Sequence, residues 1–105
     1  MENAQKFYIN GEWVEPSTST TLEVINPATE QPISSIAMGG QEDVDRAVAA
    51  ARKAFESYST TTREERIALL TRIIEVYGTR MNDIADVVSK EVGAPGALRK
   101  ERKLL

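Results

Sequence analysis

Residue types that can do chemistry are few in this chain. Its 105 residues contain no cysteine and no histidine. Without cysteine there is no thiolate nucleophile, no disulfide and no sulfur ligand for zinc. Without histidine the usual proton shuttle near neutral pH is also missing. Nucleophilic catalysis would fall to serine, threonine, lysine or a carboxylate, each of which needs an activating partner. The composition therefore argues against catalysis by this chain alone, and we predict no catalytic residue.

Two short motifs have the right residue types for a site but the wrong spacing. Glu64 and Glu65 are paired carboxylates, yet adjacent helical positions point to different sides, and Thr62 three residues before Glu65 indicates a capping box instead. Gly39-Gly40 follows an apolar strand but lacks the glycine spacing of a phosphate-binding turn. We therefore predict no cofactor-binding residue.

Charge and hydropathy exclude other classes of protein. The chain carries 16 acidic and 13 basic residues; residues 99–105 hold one acidic and four basic of these, so residues 1–98 hold 15 and nine. An acidic body argues against a nucleic-acid partner, which needs clustered positive charge. No apolar run approaches the roughly 18 residues that read as a membrane span, and no signal peptide is visible. We expect no membrane contact, a cytoplasmic location and, at residues 96–105, an atypical basic tail.

The first 41 residues are typical of short strands and turns. Residues 7–9 and 13–14 flank Asn10-Gly11, whose tolerance of positive φ predicts a tight hairpin. Residues 22–25 and 33–37 are rich in strand-forming side chains and are separated by a turn that includes Asn26-Pro27. The pattern predicts an N-terminal β-hairpin region with antiparallel strands.

Residues 42–95 carry helical periodicity. The first stripe predicts a helix of about 14–16 residues; it comprises Val44, Val48, Ala51, Phe55 and Tyr58. The second follows the capping box and comprises Ile67, Leu70, Ile74, Tyr77, Met81, Ile84 and Val88. Gly78 predicts a bend near residues 78–80, and Gly93 and Pro95 predict the end of the helix. The fold class is α+β, with antiparallel strands followed by two to three amphipathic helices.

The apolar stripes exceed what this chain can cover. Leu69, Ile73 and Val76 widen the second stripe, whereas a chain of this length buries only about 60–65% of its unfolded surface. Two interpretations remain open at this point: a two-helix hairpin with a marginal core of its own, or a cover for a larger α/β body.

Four strings in order resemble the start of the aldehyde dehydrogenase superfamily. They are FYINGEW at residues 7–13, VINPATE at 24–30, EDVDRAVAAA at 42–51 and EVGAP at 91–95. The resemblance covers about residues 7–95. It implies an α/β parent with a Rossmann-like cofactor domain, a catalytic domain and a β-flap that forms a homo-oligomer, either a dimer or a tetramer.

The resemblance also implies an activity. In that family a cysteine thiolate attacks an aldehyde to give a thiohemiacetal, hydride passes to NAD or NADP, and an activated water releases the carboxylic acid. None of these groups matches a position of this chain. We therefore interpret it as an inactive N-terminal fragment whose partner is the remainder of the dehydrogenase chain, whether truncated, frameshifted or deliberately shortened. The alternative is a non-catalytic helical interaction module that self-associates.

One set of site residues is carried over from the resemblance. Several family members bind a monovalent cation, Na⁺ or K⁺, through carbonyls before the Asn-Pro and an acidic side chain before the Gly-x-Pro. The matching positions here are Val24, Ile25 and Glu91. The alternative is that Glu91 is an ordinary surface carboxylate at a helix end.

Overall fold

The computed structural model describes residues 3–95 and divides the chain into two compact units. The first unit holds residues up to 24 together with 34–61, and the second holds residues 25–33 together with those from 62 onward. The order of elements is four strands and then two helices. This agrees with the predicted α+β class, with two helices rather than three in the part described. The predicted basic tail at 96–105 lies outside the described residues.

Strands β1 (Phe7–Ile9) and β2 (Glu12–Val14) form the predicted first hairpin. They pair antiparallel, with Tyr8 opposite Trp13, and these two rings lie 5.2 Å apart between centroids. The turn residues Asn10 and Gly11 have φ values of 55° and 79°. Both central residues are therefore left-handed, as a two-residue turn between twisted strands requires.

Strands β3 (Thr21–Asn26) and β4 (Gln31–Ala37) form a second two-stranded sheet. The Asn26 side chain starts the turn between them, because its Oδ1 accepts a hydrogen bond from the Ala28 N–H at 2.9 Å. The Glu30 N–H closes the turn by donating to the Asn26 carbonyl at 2.8 Å. Asparagine is favoured at such positions because its side chain can imitate a backbone turn.

Helix α1 (Gln41–Tyr58) has 18 residues and starts directly after Gly40. Helix α2 (Arg63–Val92) has 30 residues. At its start the Thr62 hydroxyl accepts from the Glu65 N–H at 3.1 Å, and the Glu65 carboxylate accepts from the Thr62 N–H at 2.9 Å. The predicted capping box is thus confirmed. Neither helix is long and apolar enough to cross a membrane, within the part of the chain described.

Helix α2 is a single helix, whereas the sequence predicts two nearly continuous segments with a bend near residues 78–80. The helix runs without a break through Gly78. A helical glycine costs about 1 kcal/mol relative to alanine, but it keeps its N–H and C=O and so removes no hydrogen bond. A proline at position 78 would break the row of backbone hydrogen bonds in α2, whereas glycine only makes the helix less stable.

Gly93 ends α2 in the left-handed conformation, with φ 74°. Its N–H donates to the Ser89 carbonyl at 2.9 Å. The turn between β3 and β4 lies against it: a Cβ added at Gly93 would be 3.0 Å from the Ala28 nitrogen and 3.0 Å from the Pro27 Cγ. Gly93 therefore serves both as the helix cap and as the contact point for this turn.

Burial within residues 3–95 is slight. Ala37 is the buried apolar residue, at 9% exposure, and Asp43 is the buried charged one, at 4%. No residue of α2 is buried. Within their own units, the apolar stripes of α1 and α2 are exposed.

Replacing Gly78, inside α2, and Gly93, at its C-terminal cap, with alanine should change the stability in opposite directions. Gly93→Ala is expected to destabilise the chain by about 1–3 kcal/mol, because it adds a left-handed non-glycine residue and presses a methyl group on Pro27 and Ala28. Gly78→Ala is the control: nothing lies within 4 Å of its added Cβ, so it is expected to stabilise α2 by about 1 kcal/mol. Urea unfolding followed by circular dichroism measures both. Equal effects of the two substitutions would contradict the packing described at Gly93.

Candidate docking surface and cation ligands

Asp43 fixes the start of α1. Its carboxylate accepts hydrogen bonds from the Gly40 N–H at 3.0 Å, from the Ser17 N–H at 3.0 Å and from the Ser17 hydroxyl at 2.7 Å. The Thr18 hydroxyl donates to the Met38 carbonyl at 2.6 Å. The loop at Ser17 and Thr18 is thereby tied to the first turn of the helix.

These hydrogen bonds lower the pKa of Asp43 from its ordinary value of 3.8. The Gly40 N–H is the largest cause and the Ser17 hydroxyl the second; loss of solvent opposes them, and the Arg46 charge adds a smaller lowering. The ionised carboxylate is favoured because it is the form that accepts all three donors.

The same loop fills the space beside Gly40. A Cβ there would lie 2.9 Å from the Thr18 Cγ2. The glycine pair at 39–40 therefore packs against protein and leaves no open cradle for a phosphate.

The face of α1 beyond this anchor is apolar and exposed. The exposed fractions of its large side chains are 53% for Val44 and Val48, 66% for Phe55 and 48% for Tyr58. A shallow groove lined by Val48, Ala51, Arg52 and Phe55 runs along this face. All of these positions share one side of the helix, as their spacing predicts.

The face of α2 is longer and equally exposed. Ile74 is 70% exposed and Leu70 is 59%. Ile67, Tyr77 and Met81 follow at 52%, 41% and 50%. The secondary stripe is also open, with Leu69, Ile73 and Val76 at 46–52%. Further along, Ile84 and Val88 are half-buried.

Covering these faces would release a large free energy. Full burial of one such side chain contributes about 1.5–3 kcal/mol. Nine large side chains of the two main stripes are exposed, namely Val44, Val48, Phe55, Tyr58, Ile67, Leu70, Ile74, Tyr77 and Met81. Covering their exposed half therefore contributes on the order of 10 kcal/mol. This equals the whole stability of a typical domain. The two faces are therefore candidate docking surfaces.

The predicted cation ligands are divided between the two units. Val24 belongs to the first unit, whereas Ile25 and Glu91 belong to the second. Glu91 is exposed in the last turn of α2, and Ile25 lies one residue before the turn that rests on Gly93. In a regular strand the carbonyls of adjacent residues point to opposite sides, so one of the Val24 and Ile25 carbonyls faces away from β4.

These oxygen atoms suit a hard cation such as Na⁺ or K⁺ but supply too few ligands. Within residues 3–95 no group of three or more acidic, histidine or cysteine side chains is placed to hold a metal ion. A carbonyl and one carboxylate are too few oxygen atoms for a complete coordination shell.

Two features of the site were missed by the sequence analysis. Asp43 was given no role in the sequence analysis, although Gly40 and Asp43 have the N-cap and N3 spacing of a capping box. Its bond to Ser17, 26 residues away, has no signal in the sequence. The packing of Gly93 against Pro27 and Ala28 was missed for the same reason.

The sequence of this chain is similar to a known protein family and to curated members of it. The model of the aldehyde dehydrogenase family matches residues 13–103. Among curated proteins, one relative from Staphylococcus aureus (strain bovine RF122 / ET3-1) carries an aldehyde dehydrogenase name. It is 47% identical over 98 residues, which cover 93% of this chain and 21% of the relative. A 3-succinoylsemialdehyde-pyridine dehydrogenase from a Pseudomonas species is 41% identical, over 90% of this chain and 20% of its own length.

Solved structures agree with the sequence relatives. Aldehyde dehydrogenase C from Pseudomonas syringae, crystallised as a mutant with NAD⁺ and octanal, superposes with a TM-score of 0.91 and 42% identity, covering 95% of this chain and 21% of that one. The Bartonella henselae aldehyde dehydrogenase has a TM-score of 0.89 and 43% identity, covering 94% and 21%. This chain therefore spans about a fifth of the length of the proteins it matches.

The Asp43 anchor predicts a stability change in acid. Because the folded-state pKa is lowered, the ionised carboxylate stabilises the fold fully above the unfolded value of 3.8, and this contribution is lost as pH falls through the lower folded value. The wild-type chain is expected to lose helix on acidification below pH 3.8 more steeply than Asp43→Asn, which is less stable at neutral pH. Circular dichroism at graded pH measures this, with Asp45→Asn as control. Parallel curves for wild type and Asp43→Asn would refute the anchor.

Proposed function

Because the chain belongs to the aldehyde dehydrogenase family, we propose that it is the N-terminal segment of an NAD(P)-dependent aldehyde dehydrogenase and that its helices cover the remaining chain. The exposure of both helix faces carries this proposal. Relatives about five times longer supply the chain that would cover them. The role of this segment is then to shield the body of the enzyme from water.

The proposal assigns the oxidation of the aldehyde to residues outside this segment. NAD⁺, with which the Pseudomonas syringae enzyme was crystallised, supplies the hydride acceptor when bound. This chain has no cysteine to act as a thiolate, and Thr18 occupies the space beside Gly40. The isolated chain is therefore inactive. For the complete protein, a cytoplasmic homo-oligomer is part of the same proposal.

The cation site forms a further part of the proposal. Carbonyls of Val24 and Ile25 and the carboxylate of Glu91 would contribute to a shell for Na⁺ or K⁺ that the remaining chain completes. The contact of Gly93 with Pro27 and Ala28 supports it, since it holds the segment after Ile25 against the segment after Glu91. In the described part of the chain, no hydrogen bond or ion pair engages the Glu91 carboxylate, which leaves it available to an ion.

A chimaera tests the main proposal. This chain replaces the matching segment of the Staphylococcus aureus relative, and formation of NADH from NAD⁺ and an aldehyde is measured. We expect an active, soluble chimaera and no activity from the isolated chain. Ile74→Glu should sharply reduce the soluble yield, because it buries an unpaired carboxylate in the covered face. Asn82→Glu adds the same charge at an exposed position outside the apolar stripes of α2 and should have little effect. Aldehyde oxidation by the isolated chain, or equal tolerance of both substitutions, would contradict the proposal.

The cation is tested in the same chimaera. K⁺ or Na⁺ should raise its melting temperature relative to tetramethylammonium at equal ionic strength, by the equivalent of about 1.4 kcal/mol at about ten times the Kd. Glu91→Gln should abolish this difference. The control is Glu75→Gln, which removes another carboxylate from α2. A salt effect that both variants retain would show that Glu91 is an ordinary surface carboxylate.

A further inference from the structure

One cation lies in the apolar groove of α1. The groove is lined by Val48, Ala51, Arg52 and Phe55. Arg52 follows Val48 by four residues and precedes Phe55 by three, so it is a neighbour of both on the helix surface. Val48 is 53% exposed and Phe55 is 66% exposed. The groove thus combines three apolar walls with one permanent positive charge.

Arg52 has no electrostatic partner in the part of the chain that the structure describes. No hydrogen bond or ion pair engages its guanidinium among residues 3–95. Glu56 lies four residues further on, a spacing at which opposite charges on a helix can pair, but within the same residues these two side chains form no ion pair. Arg52 is exposed, so water stabilises its charge without a protein partner.

Covering the groove would change this balance. Arg52 is one wall of the groove, so a segment that fills the groove takes the guanidinium away from water. Arginine keeps its proton in proteins, and it therefore cannot become neutral when it is covered. A covered charge is stable only where an opposite charge and hydrogen-bond acceptors meet it. The planar guanidinium matches a carboxylate, which can accept two parallel hydrogen bonds from it.

We propose that the segment of the remaining chain that covers α1 places an aspartate or glutamate carboxylate against Arg52. This inference rests on the proposed function, because it takes the occupant of the groove from the rest of the enzyme. The length of the relatives supports that occupant, since this chain covers 21% of the Staphylococcus aureus relative. Apolar side chains of the same segment contact Val48, Ala51 and Phe55, and the ion pair fixes its register along the groove.

Replacement of Arg52 in the chimaera tests the pair. Arg52→Leu keeps an apolar wall but leaves the covering carboxylate without its cation, so the melting temperature should fall by on the order of 5 °C. If Arg52 instead extended its charge to water beside the covering segment, Arg52→Leu would be neutral or stabilising.

Lys53→Leu is the matched control for this substitution. Lys53 is exposed and follows Val44 by nine residues, or about two and a half turns, which places it on the other side of α1 from the stripe. Its replacement removes the same charge and should change the melting temperature by less than about 1 °C.

Cross-linking identifies the carboxylate directly. Arg52→Lys keeps the charge and adds a primary amine, which a carbodiimide joins to a neighbouring carboxylate as an amide. In the chimaera we expect a link from the introduced lysine to an aspartate or glutamate of the Staphylococcus aureus portion. Mass spectrometry of the digested protein detects this link, which the unsubstituted chimaera should lack.

The outcomes separate this inference from the proposed function. No link from the introduced lysine, a link to Glu56 alone, or equal melting temperatures for Arg52→Leu and Lys53→Leu would each overturn the pairing. A soluble and active chimaera with any of these results would leave the proposed function standing. An insoluble or inactive chimaera without any substitution would contradict the proposed function, and the pairing with it.

Discussion

Exposed apolar area on the two helices is the constraint on which the rest of the structure depends. A chain of this length has too little polypeptide to enclose the apolar stripes of two helices that are 18 and 30 residues long. The free energy that would come from covering them is comparable to the stability of a whole domain. The elements described here are consequently held in shape by local interactions.

Those local interactions lie at the ends of the elements. Asn10 and Gly11 turn the first hairpin, Asn26 turns the second, and Thr62 with Glu65 starts α2. Two contacts are longer in range: Asp43 ties a loop 26 residues away to α1, and Gly93 receives the turn at Pro27. The first holds the start of α1 against the loop between β2 and β3, and the second holds the end of α2 against the turn between β3 and β4. Each helix is therefore fixed at one end, while its apolar face is exposed.

The sequence predicted the features that have local causes. The first hairpin follows from Asn10-Gly11, the start of α2 from its capping box, and its end from Gly93, since each depends on residues within four positions. The division of α2 into two segments at Gly78 did not follow, because conformational freedom in one residue does not break a hydrogen-bond ladder that 29 others maintain. The link between Asp43 and Ser17 could not be predicted, because hydrogen bonds between distant segments leave no periodic pattern. For the cation ligands, the resemblance to the family predicted Val24, Ile25 and Glu91. Of these three residues, Ile25 and Glu91 lie in one unit.

The open face of α2 has a consequence for biosynthesis. In relatives about five times longer than this chain, the segment leaves the ribosome first, and the rest follows at about 5–20 residues per second. The apolar face of α2 would then remain uncovered for roughly 20–80 seconds, far longer than the microseconds that a helix needs to form. During that interval, neighbouring nascent chains on one polysome present the same unprotected surface to each other. A chaperone that binds apolar stripes early in translation would keep them apart until the body of the enzyme has been made.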